Sequence, residues 1–226
     1  DALGRLFELL SIPSVSTDPA HEADCRQAAG WLVQDLAAMG FEAQAEETGG
    51  HPAVVATDHA ADGPHVLFYG HYDVQPPDPL ELWETPPFEP QLLTREDGSQ
   101  VIRARGAGDD KGQLMTFLEA CRAFRAARGR LPCKVTILLE GEEEIGSRNL
   151  PAFLEANAER FRADVALVCD TTMWDRETPA ITTMLRGLAG EEVRVKAASR
   201  DLHSGFYGGA AANPITLLAR ALGEMH

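Results

Sequence analysis

The stretch KVTILLEGEEEIGS (residues 134–147) joins a buried strand to a cluster of acidic residues. Its first half, Lys134–Glu140, is rich in apolar and β-branched residues, which predicts a short buried strand. Three glutamates, Glu142–Glu144, follow almost at once, where like charges repel and a carboxylate beside a buried strand end loses hydration. The stretch therefore predicts a sheet with charged groups at a strand end, and it requires a feature that compensates their charge.

On both sides of this stretch, predicted strands alternate with predicted helices. The predicted strands lie at 41–47, 52–57, 65–69, 134–140 and 164–170, a hairpin at 91–104, and the predicted helices at 2–10, 19–39, 111–127 and 147–161. Alternation of this kind favours helices packed on a sheet with mainly parallel strands. We therefore expect an α/β fold with a mixed, largely parallel sheet flanked by helices.

The pattern changes after Pro179 and predicts a second domain. Residues 180–199 alternate in polarity like one or two strands, 201–214 form a glycine-rich loop, and 215–226 are amphipathic like a helix. We expect residues 1–179 to form one domain and residues 180–226 to begin another.

Composition argues against nucleic-acid and membrane partners and indicates a reducing compartment. The chain has 226 residues and a net charge of −15, without the basic stripe that a nucleic-acid-binding protein carries. No apolar run approaches the roughly 18 residues of a membrane span, so we expect no membrane partner. The four cysteines form no CxxC pair and predict free thiols in a reducing compartment, the cytoplasm.

Ionisable side chains follow several predicted strands at the point where each strand ends. They are His71 and Asp73 after HVLFYG, Glu143 and Glu144 after KVTILLEGE, Asp170 after DVALVC, and Asp109 and Asp110 in a glycine-rich turn before a helix. Ligands of open α/β sheets bind beyond the carboxyl ends of the strands. We therefore expect these side chains to meet in one crevice.

A divalent cation would compensate such a cluster. Several carboxylates around one imidazole raise each other's pKa values unless a positive charge is present. Imidazole and carboxylate ligands together suit zinc, manganese or cobalt better than they suit calcium.

Each cluster alone has a simpler interpretation. His71 could be a buried histidine with ordinary hydrogen bonds, and Asp109 and Asp110 could cap a helix. The acidic run Glu142–Glu144 could be a solvated face, and Asp170 could close a turn. Only the joint placement of these groups on one edge favours a metal site.

Five ordered motifs carry a resemblance to a known family. They are GHYDVQP (70–76), RGAGDDKGQ (105–113), EGEEEIGS (140–147), CD (169–170) and RDLHSGFYGG (200–209). The chain resembles, from about residue 5 to 220, the co-catalytic metallopeptidases that include carnosinase, cytosolic non-specific dipeptidase, succinyl-diaminopimelate desuccinylase, acetylornithine deacetylase and carboxypeptidase G. The motifs are most similar to the dipeptidase and carnosinase branch. The resemblance implies a zinc-peptidase-like catalytic domain followed by the start of an α+β lid and dimerisation domain.

The resemblance implies roles for the residues of the first domain. His71 and Asp170 would ligate one metal ion, Asp73 would orient the imidazole, and Asp109 would bridge two ions. The peptide bond between Asp109 and Asp110 would be cis.

It also implies roles for two glutamates and one histidine. Glu143 would be the general base and Glu144 a ligand of the other ion. His203 of the lid would reach into the partner's active site in a homodimer and bind the substrate and its developing oxyanion. Without the resemblance, His203 would be interpreted as a loop histidine bonded to backbone, and Glu142 as a solvated or supporting acid.

The implied activity is hydrolysis of an amide bond in dipeptides or similar small peptides, with two divalent ions per site, zinc first and manganese or cobalt as alternatives. An N-acyl amino-acid deacylase of the same family is one alternative, and an inactive binding homologue or inactive fragment is another. In the family, a histidine near the end of a chain about twice this length completes the second ion's site. We therefore expect this chain to be an N-terminal fragment without that ligand.

Overall fold

The computed structural model describes residues 1–225, so His226 lies outside the described residues. It divides into two compact units, Asp1–Pro179 and Ala180–His226. The assignment of the first unit as catalytic domain and of the second as the start of a lid stays a prediction.

The first unit contains four α-helices and seven strands. The helices are α1 (Ala2–Leu10), α2 (Glu22–Ala38), α3 (Lys111–Arg128) and α4 (Leu150–Ala156), and the strands are β1 (Glu42–Glu46), β2 (Ala53–Asp58), β3 (His65–His71), β4 (Gln91–Thr94), β5 (Gln100–Arg103), β6 (Lys134–Glu140) and β7 (Val165–Val168). None of the helices within residues 1–225 is both long enough and apolar enough to cross a membrane.

Five of these strands form the central sheet, in the order β1-β2-β6-β3-β7. Strands β6, β3 and β7 are mutually parallel, whereas β2 runs antiparallel to both of its neighbours. Four of the five strands therefore point in one direction, which confirms the expected mixed, largely parallel sheet. The remaining pair, β4 and β5, is the predicted hairpin.

Alternation along the central strands creates a core on each face of the sheet. In β6, Ile137 and Leu139 join the larger core, which α2 and α3 cover, while Leu138 points to the other side. There it packs with Phe153 of α4 and with Phe161. Because successive side chains of a strand point to opposite faces, one continuous apolar strand supplies both cores.

The second unit differs from its sequence-based prediction. It contains the helices α5 (Ser204–Tyr207) and α6 (Pro214–Glu224), and the predicted helix is confirmed by α6. The strands predicted within 180–199 are wrong, because these residues form no regular element in the part of the chain that the structure describes. A strand is stable only when its backbone groups pair with a neighbouring strand, and residues 180–225 contain none.

Candidate metal centre

Three strands deliver their carboxyl ends to the same edge of the sheet. His71, the last residue of β3, pairs in register with Glu140, the last residue of β6. Tyr69 pairs with Val168, the last residue of β7, so Asp170 follows two residues beyond that pair, as His71 does in β3. The parallel register thus places an imidazole and a carboxylate at one level of the sheet.

His71, Asp109 and Asp170 come close enough to share a ligand. Each offers one atom, and these atoms lie within 4.8 Å of one another. The His71 Nε2 atom is 3.0 Å from Asp109 Oδ1 and 3.8 Å from Asp170 Oδ2. His71 is fully buried, while Asp109 and Asp170 are exposed. One imidazole and two carboxylates are a donor set that a transition-metal ion accepts.

The His71 ring is held from its other nitrogen. Nδ1 lies 3.0 Å from the backbone carbonyl of Asp73 and 3.4 Å from its Oδ1. With a hydrogen on Nδ1 donated to Asp73, the neutral ring would offer the lone pair of Nε2 to a metal ion. Burial lowers the pKa of His71, but the hydrogen bond to Asp73 and nearby carboxylates outweigh it and raise that pKa to about 10. The surrounding carboxylates therefore favour the protonated form of the His71 ring in the metal-free chain.

Asp73 is fully buried and joins three segments of the chain. Its Oδ2 accepts from the Ser16 hydroxyl at 2.6 Å and from the Glu144 amide at 3.1 Å, and its Oδ1 accepts from the Glu143 amide at 3.2 Å. Amide and hydroxyl donors stabilise an ionised carboxylate in a buried site. Asp73 thus couples the orientation of His71 to the backbone of the acidic run.

Asp110 departs from the helix-cap interpretation. It occupies the N-cap position of α3, but its side chain caps no amide of that helix. Its Oδ2 accepts from the backbone amide of His71 at 3.1 Å, and its buried Oδ1 has no hydrogen-bond partner within residues 1–225. Burial is the main cause that raises the pKa of Asp110 to about 6. The bond between Asp109 and Asp110 is cis, which confirms that expectation.

The three glutamates of the acidic run have different environments. Glu142 is buried, and both of its carboxylate oxygens accept from Asn149 Nδ2, at 3.1 and 2.8 Å, so the solvated interpretation of Glu142 is wrong. Glu143 lies near the His71 ring, with its Oε2 atom 4.0 Å from Nε2.

Glu144 is directed at Gln75 instead, and its Oε2 atom accepts from Gln75 Nε2 at 2.6 Å. Burial raises the pKa of Glu143 and Glu144, and neighbouring acids add to the effect.

His203 belongs to the second unit. Its Nδ1 accepts from the Gly205 amide at 2.9 Å at the start of α5, and its ring packs near Phe206. This bond to backbone is what the simpler interpretation predicts. Because Nδ1 is the acceptor in this bond, the hydrogen of a neutral His203 ring lies on Nε2. A role at the active site stays a prediction.

Sequence reasoning missed two residues that contact the predicted site. Gln75 lies inside the motif GHYDVQP, where only its amide chemistry beside the acidic residues could have drawn attention to it. Ser16 lies 57 residues before Asp73, and no local pattern links the two. The predicted Glu144 ligand is turned to Gln75, and the three-residue cluster does not include it.

Comparison with known proteins identifies a family. Residues 67–223 match the model of peptidase family M20/M25/M40. The chain is 31% identical to the Cys-Gly metallodipeptidase dug1 of Schizosaccharomyces pombe over 98% of this chain and 48% of that protein. It is 38% identical to the human Beta-Ala-His dipeptidase over 71% of this chain and 31% of that protein.

A solved structure agrees with these matches. Human carnosine dipeptidase 1 superposes with a TM-score of 0.71 at 28% identity, over 98% of this chain and 49% of that one. The chain spans about half the length of the fission yeast and carnosine dipeptidase proteins.

Proposed function

This chain belongs to peptidase family M20/M25/M40, and we propose that it carries the metal-binding part of a hydrolase that cleaves dipeptides or similar small peptides. The observation that carries the proposal is the convergence of His71, Asp109 and Asp170 on one point at the carboxyl edge of the sheet. Relatives named for Cys-Gly and Beta-Ala-His support a dipeptide rather than an N-acyl amino acid as substrate.

The residues present fit divalent ions. The donor set is imidazole and carboxylate, and the buried Oδ1 of Asp110 has no hydrogen-bond partner in the described part of the chain. His71 and Asp170 would hold one ion and Glu144 the other, and Asp109 would be a ligand of both. This donor set suits zinc first, with manganese or cobalt as alternatives. We propose two ions per site, as the resemblance to the family implies.

Glu143 is the proposed general base. When bound, the ions lower the pKa of the attacking water and polarise the substrate carbonyl. The Glu143 carboxylate takes a proton from the water and later passes it to the leaving amine. Its partial burial and raised pKa suit both steps, because they bring the basicity of the carboxylate nearer to neutral pH.

His203 is the proposed oxyanion donor. With Nδ1 occupied by the Gly205 amide, its Nε2–H remains to donate to the developing charge of the substrate. One such donor is typically worth about 3 kcal/mol of transition-state stabilisation. We propose that it acts across a homodimer formed through the lid, in a cytoplasmic protein whose four cysteines stay reduced.

The test replaces Glu143 by alanine in the full-length protein. We expect hydrolysis of Cys-Gly and β-Ala-His to fall by about 10²–10⁴-fold while the metal content is retained, because only proton transfer is removed. Glu155→Ala, on the exposed side of α4, is the control and should change neither quantity.

Normal dipeptide hydrolysis by Glu143→Ala would show that another group is the base. Wild-type protein that cleaved N-acetyl or N-succinyl amino acids and left dipeptides intact would favour the deacylase alternative.

A further inference from the structure

Residues 9–16, the segment that leaves α1, are fixed beside the candidate metal centre. The Lys111 Nζ atom, fully buried at the start of α3, donates to the carbonyls of Leu9 and Ile12 at 3.0 and 2.7 Å. These bonds hold the segment against the helix that follows Asp109 and Asp110.

The same segment flanks Asp73 on both sides. The Ser14 hydroxyl donates to the carbonyl of Tyr72 at 2.7 Å, and the Ser14 carbonyl accepts from the Val74 amide at 2.9 Å. Ser14 is fully buried, so these bonds are shielded from water. The segment is therefore paired with the backbone immediately before and after Asp73.

Ser16 completes this arrangement through its side chain. Its hydroxyl donates to Asp73 Oδ2 at 2.6 Å, and its carbonyl lies 3.2 Å from His51 Nε2. Only 7% of Ser16 is exposed, so water has little access to replace the hydroxyl. Within residues 1–225, Asp73 has three donors from outside its own segment, and Ser16 is the one side chain among them.

We propose that Ser16 is a positioning residue of the metal centre, acting through Asp73 on the orientation of His71. The inference rests on the proposed function, because it presumes that His71 ligates a metal ion. It assigns a role to a segment that precedes the part of the chain matched by the family model. Partners that orient a ligating histidine typically contribute 10–100-fold to metal affinity.

The test titrates metal-free full-length protein with Co²⁺ and follows its visible absorption. Ser16→Ala should weaken Co²⁺ binding by about tenfold and shift the absorption bands, because the His71 ring is less firmly oriented. Ser11→Ala is the matched control, since Ser11 is exposed and its hydroxyl bonds, among the described residues, only to the Phe7 carbonyl. It should leave both affinity and spectrum unchanged.

Melting of the metal-free variants separates positioning from folding. A purely structural role would lower the melting temperature of Ser16→Ala and leave the Co²⁺ spectrum and affinity as in the wild type, which would overturn the inference. Ser16→Cys keeps the volume with a weaker donor and should lie between wild type and Ser16→Ala; wild-type behaviour of this variant would also count against the role. Wild-type protein that bound no Co²⁺ would overturn the proposed function itself, and the inference with it.

Discussion

Strand β3 begins and ends with a histidine, and its two ends make a close comparison. At its first residue the His65 amide donates to Asp164 Oδ2 at 2.8 Å, and at its last the His71 amide donates to Asp110 Oδ2 at 3.1 Å. The backbone therefore meets the same kind of partner at both ends. The difference lies in the surroundings of the two rings.

Both hydrogen-bond partners of the His65 ring in the described part of the chain are neutral. Its Nδ1 lies 2.9 Å from the Arg162 carbonyl and its Nε2 2.8 Å from the Thr136 hydroxyl. The adjacent His59 shares that hydroxyl, and its pKa is lowered by burial and by His65. Around His71, by contrast, carboxylates raise the pKa. A histidine at a strand end thus indicates a metal site only where carboxylates from other segments converge on it.

The largest expected difference between the two ends of β3 is in metal content, and it is tested at Asp109, near the His71 ring, and at Asp164, near the His65 amide. Asp109→Ala should lose both metal ions, because the proposed bridging oxygens are removed, whereas Asp164→Ala should keep them. Metal content per chain after dialysis, measured by elemental analysis, checks this. Two ions retained in Asp109→Ala would refute the bridging role and make the two ends alike.

The histidines themselves give the next largest effect. His71→Ala should weaken binding of the ion assigned to His71 and Asp170 by more than about 100-fold. Removing a ligand costs more metal affinity than removing the group that orients it. His65→Ala should stay within about twofold of the wild type and instead lose roughly 1 kcal/mol of stability with its hydrogen bonds. Calorimetric titration with zinc and urea unfolding measure both; equal losses of affinity would erase the distinction.

The smallest effect is a pH dependence of stability in metal-free protein. The pKa of Asp110 is about 6 in the folded chain against 3.8 ordinarily, so the folded state binds more protons between these values. Its stabilising contribution is present below pH 3.8 and is lost as pH rises through 6. The free energy of unfolding of Asp110→Asn, minus that of the wild type, should therefore rise by roughly 1–3 kcal/mol from pH 4 to pH 7.

Glu119→Gln is a control with the opposite sign. The hydrogen bond from Arg5 lowers the pKa of Glu119 below 4.5, so its stabilising contribution is present above that value and is lost in acid. The free energy of unfolding of Glu119→Gln, minus that of the wild type, should therefore fall as pH rises toward 4.5. Urea unfolding with a chelator present measures both variants, and parallel slopes would contradict the assigned environments.

Local patterns predicted those elements whose stability depends on their own neighbours. Strands β3 and β6 could be predicted from their continuous apolar runs, and helix α3 from the helical spacing of its apolar residues. The strands expected within 180–199 failed for the converse reason. Their alternation was present, but pairing depends on another strand.

The candidate site divides in the same way. The convergence of His71, Asp109 and Asp170 could be predicted, because each follows a strand or precedes a helix at a known edge of the sheet. The burial of Glu142 could not, since it depends on Asn149, which α4 brings beside it. Ser16 was missed because its contact with Asp73 spans 57 residues.

By itself, the amino-acid sequence determined the α/β class, the edge at which the polar residues gather and their chemical types, because these follow from periodicity and from what ends each strand. Only the tertiary structure decided which carboxylates face the His71 imidazole, which are held by Gln75 or Asn149, and which distant hydroxyl supports Asp73. The physical reason is that hydrogen bonds and ion pairs depend on distances of a few ångströms between segments that are remote in the chain.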